Sequence, residues 1–122
     1  MKRNVFWSTV LQGLDDDLTV TVVTAADGRD LTIKLCGSID LQSRLTLNET
    51  LRRVLDTGTA ERIVLDLERV GFCDCAGIRA LIAAHRHAAA RGVRCSIGKP
   101  QEHIRWLLGI TGAATILDVA GG

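Results

Sequence analysis

The segment that decides the fold runs from residue 62 to residue 97, RIVLDLERVGFCDCAGIRALIAAHRHAAARGVRCSI. Its first part, Arg62–Leu67, is a nearly continuous apolar run, as in buried strands of α/β sheets. Ile78–Arg91 places apolar residues at helical spacing and is followed by Gly92, a common helix stop. Val93–Ile97 returns to a strand pattern. A strand, a helix and a strand in this order favour parallel pairing through a right-handed crossover.

Two strands and a helix are predicted before this segment. Alternation and β-branched residues indicate strands at Leu18–Thr24 and Leu31–Cys36. The Asp-Gly turn between them predicts an antiparallel hairpin. Leu41–Asp56 has helical spacing, and Asp40 is a good candidate for its N-cap.

One more helix and one more strand are predicted after it. Pro100 suits the first turn of a helix that reaches Leu108, and Thr115–Val119 is a short last strand. The order is β-β-α-β-α-β-α-β, which predicts an α/β fold. Its sheet is mixed and mostly parallel, with an antiparallel first strand and helices packed on it. Residues 18–122 are predicted to form a single domain, preceded by an extension, 1–17, that forms a strand or a helix or stays mobile.

Composition excludes several classes of function. The chain of 122 residues suits one domain, and its formal net charge of +1 comes from scattered acids and bases. Tyr is absent and Phe and Trp number two each, so a surface for stacking nucleic-acid bases is not expected. No apolar run reaches the roughly 20 residues that span a bilayer, and Met1–Leu11 lacks a clear signal-peptide cleavage site. The sequence therefore predicts a cytoplasmic protein with no nucleic-acid partner and no direct membrane insertion.

Motifs typical of catalytic, cofactor or metal sites are not evident in the sequence. The chain has no phosphate-cradling G-x-x-x-x-G-K-[ST] loop and no evident Ser-His-Asp arrangement. His85 and His87 are two apart on a predicted helix and point in different directions, which argues against a metal pair. Four cysteines, at separations of 37, 2 and 20 residues, do not resemble a paired C-x-x-C zinc site. We therefore predict no catalytic residues, no cofactor and no metal.

Several short motifs occur together and in a fixed order along the chain. They are Cys36–Leu41 (CGSIDL), Ile63–Leu67 (IVLDL), Val70–Ile78 (VGFCDCAGI), Ala83–Arg86 (AAHR), Ala90–Val93 (ARGV), Lys99–Pro100 and Leu107–Gly112 (LLGITG). Together they resemble the STAS domains of bacterial anti-sigma factor antagonists, over about residues 18–117. Any one motif is weak, but their order and spacing are quite specific.

The resemblance implies a protein-binding regulator and not an enzyme. Such domains bind an anti-sigma factor of the serine-kinase type, which then releases its sigma factor. That kinase commonly switches them off by phosphorylating the serine directly before the glycine of an Asp-Ser-Ser/Thr-Gly motif. The matching residues here are Asp74, Cys75, Ala76 and Gly77. Ala76 takes the phosphoacceptor position and has no hydroxyl oxygen, so ordinary phosphorylation is not expected there.

The turn Phe72–Gly77 is the predicted docking site. By resemblance, the residues predicted to contact the partner are Asp40, Asp74, Cys75, Ala76 and Gly77. Structural roles compete with this interpretation. Asp40 and Asp74 could each serve as a helix N-cap, and Gly77 could allow a close backbone approach.

Two further interpretations stay open. Cys73 and Cys75 are candidates for redox control, although a disulfide between residues two apart would be strained and free cysteines often act as small buried hydrophobes. A thiol reductase is disfavoured because the usual redox motif is C-x-x-C. The alternative function is a non-enzymatic STAS subunit of a larger assembly, such as a lipid-transport ATPase complex or a stress-signalling scaffold. The motifs carry no information on the oligomeric state.

Overall fold

A computed structural model of the protein describes residues 7–12 and 18–119. Within these ranges, six strands form one sheet in the order β1-β2-β3-β4-β5-β6. The strands are β1 (Trp7–Gln12), β2 (Leu18–Thr24), β3 (Asp30–Ile39), β4 (Arg62–Cys73), β5 (Arg94–Gly98) and β6 (Asp118–Val119). The α-helices are α1 (Arg44–Asp56), α2 (Cys75–Ala90) and α3 (Glu102–Ile110). None of the helices in the described ranges is both long enough and apolar enough to cross a membrane.

Strand pairing confirms the predicted fold class. β2 runs antiparallel to β3, and the pairs β3–β4, β4–β5 and β5–β6 are parallel. From β2 onward the elements follow the predicted order β-β-α-β-α-β-α-β. β1 adds a strand antiparallel to β2, with Trp7 opposite Thr24 and Gln12 opposite Thr19. β1 lies in the segment 1–17, for which the sequence predicted a strand, a helix or a mobile extension. Residues 1–6, 13–17 and 120–122 lie outside the described residues.

The core lies between one face of the sheet and the helices. Ile33, Leu65 and Ile97 stand side by side on β3, β4 and β5 in parallel register, and all three are buried. Helices α1 and α2 cover this face with apolar side chains that recur every three or four residues. Their buried apolar residues are Leu47, Leu51, Val54, Leu55, Ile78, Leu81, Ala84 and Ala88. Burying a large aliphatic side chain contributes about 1.5–3 kcal/mol, so this layer holds the helices on the sheet.

The prediction of a turn at Phe72–Gly77 is wrong, because the end of β4 and the start of α2 occupy these residues. Strand β4 continues to Cys73, six residues beyond the predicted end at Leu67, and α2 begins at Cys75 instead of Ile78. β3 is extended in the same way, to Ile39. Two register shifts between these strands, one between Lys34 and Cys36 and one between Gly37 and Ser38, let pairing continue past an interrupted apolar pattern.

The predicted boundaries of α1, α3 and the last strand also differ from those in the structure, and β5 covers Arg94–Gly98 instead of Val93–Ile97. Helix α1 begins at Arg44 instead of Leu41, and α3 covers Glu102–Ile110 instead of 100–108. The predicted strand Thr115–Val119 is wrong in its first part, because Ala113–Thr115 forms a short 3-10 helix. Backbone hydrogen bonds from the N–H groups of residues 115–117 to carbonyls of residues 112 and 113 hold that turn. Only two residues remain for β6.

A backbone contact fixes the start of α2 against the end of β3. A Cβ atom added at Gly77 would lie 2.0 Å from the carbonyl oxygen of Ile39 and 2.7 Å from Sγ of Cys73. Real Cβ atoms do not approach backbone oxygens so closely, so only glycine fits here. The N–H of Asp74 also donates to the Ile39 carbonyl, at 3.4 Å. The close approach predicted for Gly77 is therefore present.

Replacing Gly77 with alanine should destabilise the fold. The new methyl group would push α2 away from Ile39, and we expect the free energy of unfolding to fall by about 1–3 kcal/mol. Urea denaturation followed by circular dichroism measures this change. Gly109→Ala is the matched control, because it adds the same methyl group to α3 with no atom within 4 Å. That variant should match the wild type or gain up to about 1 kcal/mol. Equal midpoints for the wild type and Gly77→Ala would contradict the packing argument.

Candidate functional site

The predicted site residues lie at one edge of the sheet. Strands β3 and β4 are parallel, and their last residues, Ile39 and Cys73, are paired in register. Asp40 and Asp74 follow directly, so both carboxylates come to the carboxyl-terminal edge of the sheet. The structure thus brings together residues that are 34 positions apart in the chain.

Asp74 is the N-cap of α2. Its backbone is extended, and its Oδ1 atom accepts a hydrogen bond of 2.8 Å from the N–H of Gly77. The N–H groups of the first helical turn lack partners within the helix, and a carboxylate at this position satisfies one of them. The structural role foreseen for Asp74 is therefore present.

Asp40 holds the turn that leads into α1. Its Oδ1 accepts from the N–H groups of Gln42 and Ser43, at 3.0 and 2.9 Å. In return, the Asp40 N–H donates to the Ser43 hydroxyl at 3.0 Å, which gives a reciprocal arrangement like a capping box. Ser43 is fully buried and donates to the carbonyl of Ser38 at 2.7 Å. Asp40 makes the hydrogen bonds of an N-cap, but Ser43 is the residue directly before helix α1.

Ser43 was not among the residues predicted for this site. The signal was present, since an Asp followed three residues later by a hydroxyl side chain is close to the capping-box pattern. The interpretation of Asp40 alone placed the helix start three residues too early.

Cys75 and Ala76 lie at the surface of the site. Both lie in the first turn of α2, where Cys75 is exposed and Ala76 is half-buried. Gly77 is buried beneath them against Ile39. A partner that approaches this edge of the sheet would meet the Cys75 and Ala76 side chains before the Gly77 backbone.

A groove opens beside Ala76, between α1 and α2. Its volume is about 470 Å³, and we call it the α1–α2 groove. Apolar side chains line it from both helices, with Arg, His and Asn side chains among them. The lining residues are Leu41, Arg44, Leu45, Asn48, Ala76, Arg79, Ala80, Ala83 and His87. The phosphoacceptor-equivalent position is thus part of an open, partly apolar surface.

Two large side chains of this groove are unusually exposed. Leu41 is 61% exposed and Leu45 is 60% exposed. Sequence reasoning gave neither a role at the surface. The signal was their position, because they are four residues apart and fall outside the set of buried leucines that begins at Leu47. Large apolar side chains clustered at a surface indicate an interaction site.

The four cysteines differ in their surroundings. All are free; Cys36 and Cys75 are exposed, whereas Cys73 and Cys95 are buried. Burial raises the pKa of the Cys73 thiol to about 12, and the negative charge of Asp74 adds to the effect. Burial alone raises the pKa of Cys95 to about 12. Cys73 therefore acts as a packing residue, which argues against its predicted redox role, and a redox role for Cys75 stays a prediction.

Two of the three histidines make backbone contacts. Nδ1 of His85 lies 3.1 Å from the carbonyl oxygen of Cys95, and Nε2 of His103 lies 2.8 Å from that of Gly71. Within residues 7–12 and 18–119, no three His, Cys, Asp or Glu side chains are grouped so that they could hold a metal ion.

Thiol labelling tests this assignment of the cysteines. At pH 8 we expect iodoacetamide to modify Cys75 and Cys36 readily, with Cys73 and Cys95 at least about tenfold slower, because the thiolate is the reactive form. Peptide mass mapping of the folded protein over time measures each site. Because burial raises the pKa of Cys73 and Cys95, their neutral thiols stabilise the folded protein fully below pH 9. This stabilisation decreases as the pH rises from 9 toward 12. Labelling of Cys73 at the rate of Cys75 would refute its burial.

Comparison with known proteins matches most of the chain to STAS domains. The family model described as "Mlab, STAS domain" matches residues 22–118. A STAS-domain containing protein of Pseudomonas aeruginosa (strain UCBPP-PA14) is 23% identical over 103 residues, which cover 84% of this chain and all of that protein.

Solved structures match the fold at low sequence identity. An anti-sigma factor antagonist from Mycobacterium paratuberculosis superposes with a TM-score of 0.74 at 17% identity, covering 91% of this chain and 92% of the other. Unphosphorylated SpoIIAA, an anti-sigma factor antagonist, gives a TM-score of 0.68 at 18% identity, covering 84% of this chain and 88% of the other. The murine anion transporter Slc26a9 gives 0.64 at 18% identity, over 88% of this chain but 18% of the transporter.

Proposed function

Because this chain belongs to the STAS domain family, we propose that it is a partner-binding regulator of the anti-sigma factor antagonist type. Its partner would be an anti-sigma factor of the serine-kinase type. The proposed contact surface comprises Asp40 and the first turn of α2, with Asp74, Cys75, Ala76 and Gly77. The protein would act in the cytoplasm, without catalysis and without phosphorylation at residue 76.

One observation carries this proposal. Ala76, the phosphoacceptor-equivalent residue, lies half-buried in the first turn of α2 and lines the α1–α2 groove. The Asp74 cap and the Gly77–Ile39 contact hold that turn in place. The position therefore belongs to a well-packed, partly apolar surface, which is suited to binding another protein.

The absence of a hydroxyl at residue 76 bears on regulation. SpoIIAA, which shares the fold, has been solved in unphosphorylated and phosphorylated forms. A phosphate adds about −1.5 to −2 charges and can disrupt a docked interface, above all beside another acidic group. Ala76 has no oxygen to accept a phosphoryl group. We propose that docking here is constitutive, or that the protein competes with relatives that can be phosphorylated.

A second candidate function keeps the surface and changes the partner. The chain could be a non-enzymatic subunit of a larger assembly, such as a lipid-transport ATPase complex. The same fold occurs as 18% of the chain of an anion transporter, so it also serves as one part of a larger machine. An ATPase among the co-purified proteins would favour this candidate, and a sigma-regulating kinase would favour the first.

Charge at residue 76 should control capture of the partner. The tagged full chain is used to isolate partners from its native cell, and bound proteins are quantified by mass spectrometry. Ala76→Glu should reduce the main partner at least about tenfold, because it places a carboxylate in a docked apolar surface. Glutamate is favourable in a first helical turn, so unfolding should not cause the loss. Ala89→Glu, at an exposed position of α2, should bind like the wild type.

Residue 76 also permits a gain-of-function test. With the captured kinase and ATP, Ala76→Ser should acquire phosphate at residue 76, whereas the wild type should acquire none. Phosphate on Cys75 or a nearby threonine of the wild type would overturn the unswitched version. Equal partner capture by the wild type and Ala76→Glu would overturn the proposed surface.

A further inference from the structure

We propose that the α1–α2 groove binds an acidic amphipathic α-helix of a protein partner, so that the contact surface extends from Ala76 along both helices. This inference rests on the proposed function, because it gives the chemistry of the partner segment that the same surface would take. It extends the proposed contact surface beyond the first turn of α2 and specifies the charge of the partner segment.

The shape of the groove fits a helix. The groove begins between Leu41 and Ala76, and a second depression of about 140 Å³ continues it toward Leu55 and Ala90. The two share Asn48 and His87, so they lie side by side along the interhelical seam, and we call the two together the channel. Helix α1 has 13 residues, equivalent to about 20 Å. A partner helix of three to four turns would match this length.

The walls of the channel suit the apolar face of such a helix. Leu41 and Leu45 stand on the α1 side with most of their surface exposed. The α2 side presents the short side chains of Ala76, Ala80 and Ala83, which leave room for larger incoming groups. Helices dock into grooves of this kind through apolar residues at positions i, i+3 or i+4, and i+7. Docking would cover the two exposed leucines.

The charges of the channel select an acidic partner. Every titratable side chain that lines either part is basic, namely Arg44, Arg52, Arg79, His87 and Arg91. Of these, Arg91 pairs with Asp56 at 2.9 Å. Among the described residues, Arg44, Arg52 and Arg79 form no ion pair.

This local excess of positive charge contrasts with the formal net charge of +1 of the whole chain. A helix with carboxylates beside its apolar stripe would pair with the free guanidinium groups, whereas a basic helix would be repelled. The arginines at the rim thus supply specificity, and the leucines supply burial of apolar surface.

A pair of designed peptides tests the inference. The first is a helix of about four turns with leucines at i, i+4, i+7 and i+11 and glutamates on its flanks; the second carries lysine at each glutamate position. Each is titrated into the full chain labelled with ¹⁵N. The acidic peptide should shift amide resonances of α1 and α2, with an affinity that weakens as salt rises. The basic peptide should give no such shifts.

Two matched variants locate the contact. Ala83→Glu places a carboxylate inside the groove and should weaken binding of the acidic peptide at least about tenfold. Ala89→Glu makes the same change on α2 outside both parts of the channel and should leave affinity unchanged.

Four results would overturn the inference. They are no binding of the acidic peptide at about 1 mM, equal binding of both peptides, equal affinity of Ala83→Glu and the wild type, or shifts confined to α3 around the exposed Trp106. The proposed function is tested separately, by capture of the native partner. If the native partner is lost with Ala76→Glu but retained fully with Ala83→Glu, the docking surface stands and the groove inference falls.

Discussion

The contact between the Gly77 backbone and the carbonyl oxygen of Ile39 is the constraint on which the site depends. It brings the start of α2 against the end of β3, at a distance that no side chain would tolerate. β3 and β4 are parallel and end in register, so the residues that follow the two strands lie beside one another. Ala76 is thereby held in a first helical turn, next to the α1–α2 groove.

The site divides into side chains that build it and side chains that a partner can reach. Asp40, Ser43 and Asp74 are engaged in hydrogen bonds to nearby backbone groups, and Gly77 is buried. Cys75 remains exposed, as do the leucines of the α1 wall. The two aspartates therefore hold the backbone of the proposed contact surface in place, and Cys75, Ala76 and the leucines add small and apolar side chains to it. This division is consistent with a docking site.

Much of the fold could be predicted from local patterns, and the errors have physical causes. The strand-helix-strand segment is marked by strong periodicity, and its elements and their order were predicted correctly. The end of β4 was missed because Glu68, Arg69 and Gly71 interrupt the apolar pattern, although exposed charges are compatible with a paired strand. The groove could not be predicted, since it forms between residues 41–55 and 76–91 only after α1 and α2 pack. Single-sequence patterns describe one helix face at a time and do not fix the space between two helices.

The central claim is that this chain works through the face of α1 and α2 and not through the opposite face of its sheet. Photo-crosslinking in the native cell tests it directly, with a benzophenone amino acid placed at Leu45 in one version of the full chain and at Lys34 in another. Leu45 is exposed in the α1–α2 groove, whereas Lys34 is exposed on β3 between two residues that face the core. The account predicts a discrete crosslinked protein from position 45 and none from position 34. A partner captured from position 34 but not from position 45 would contradict it.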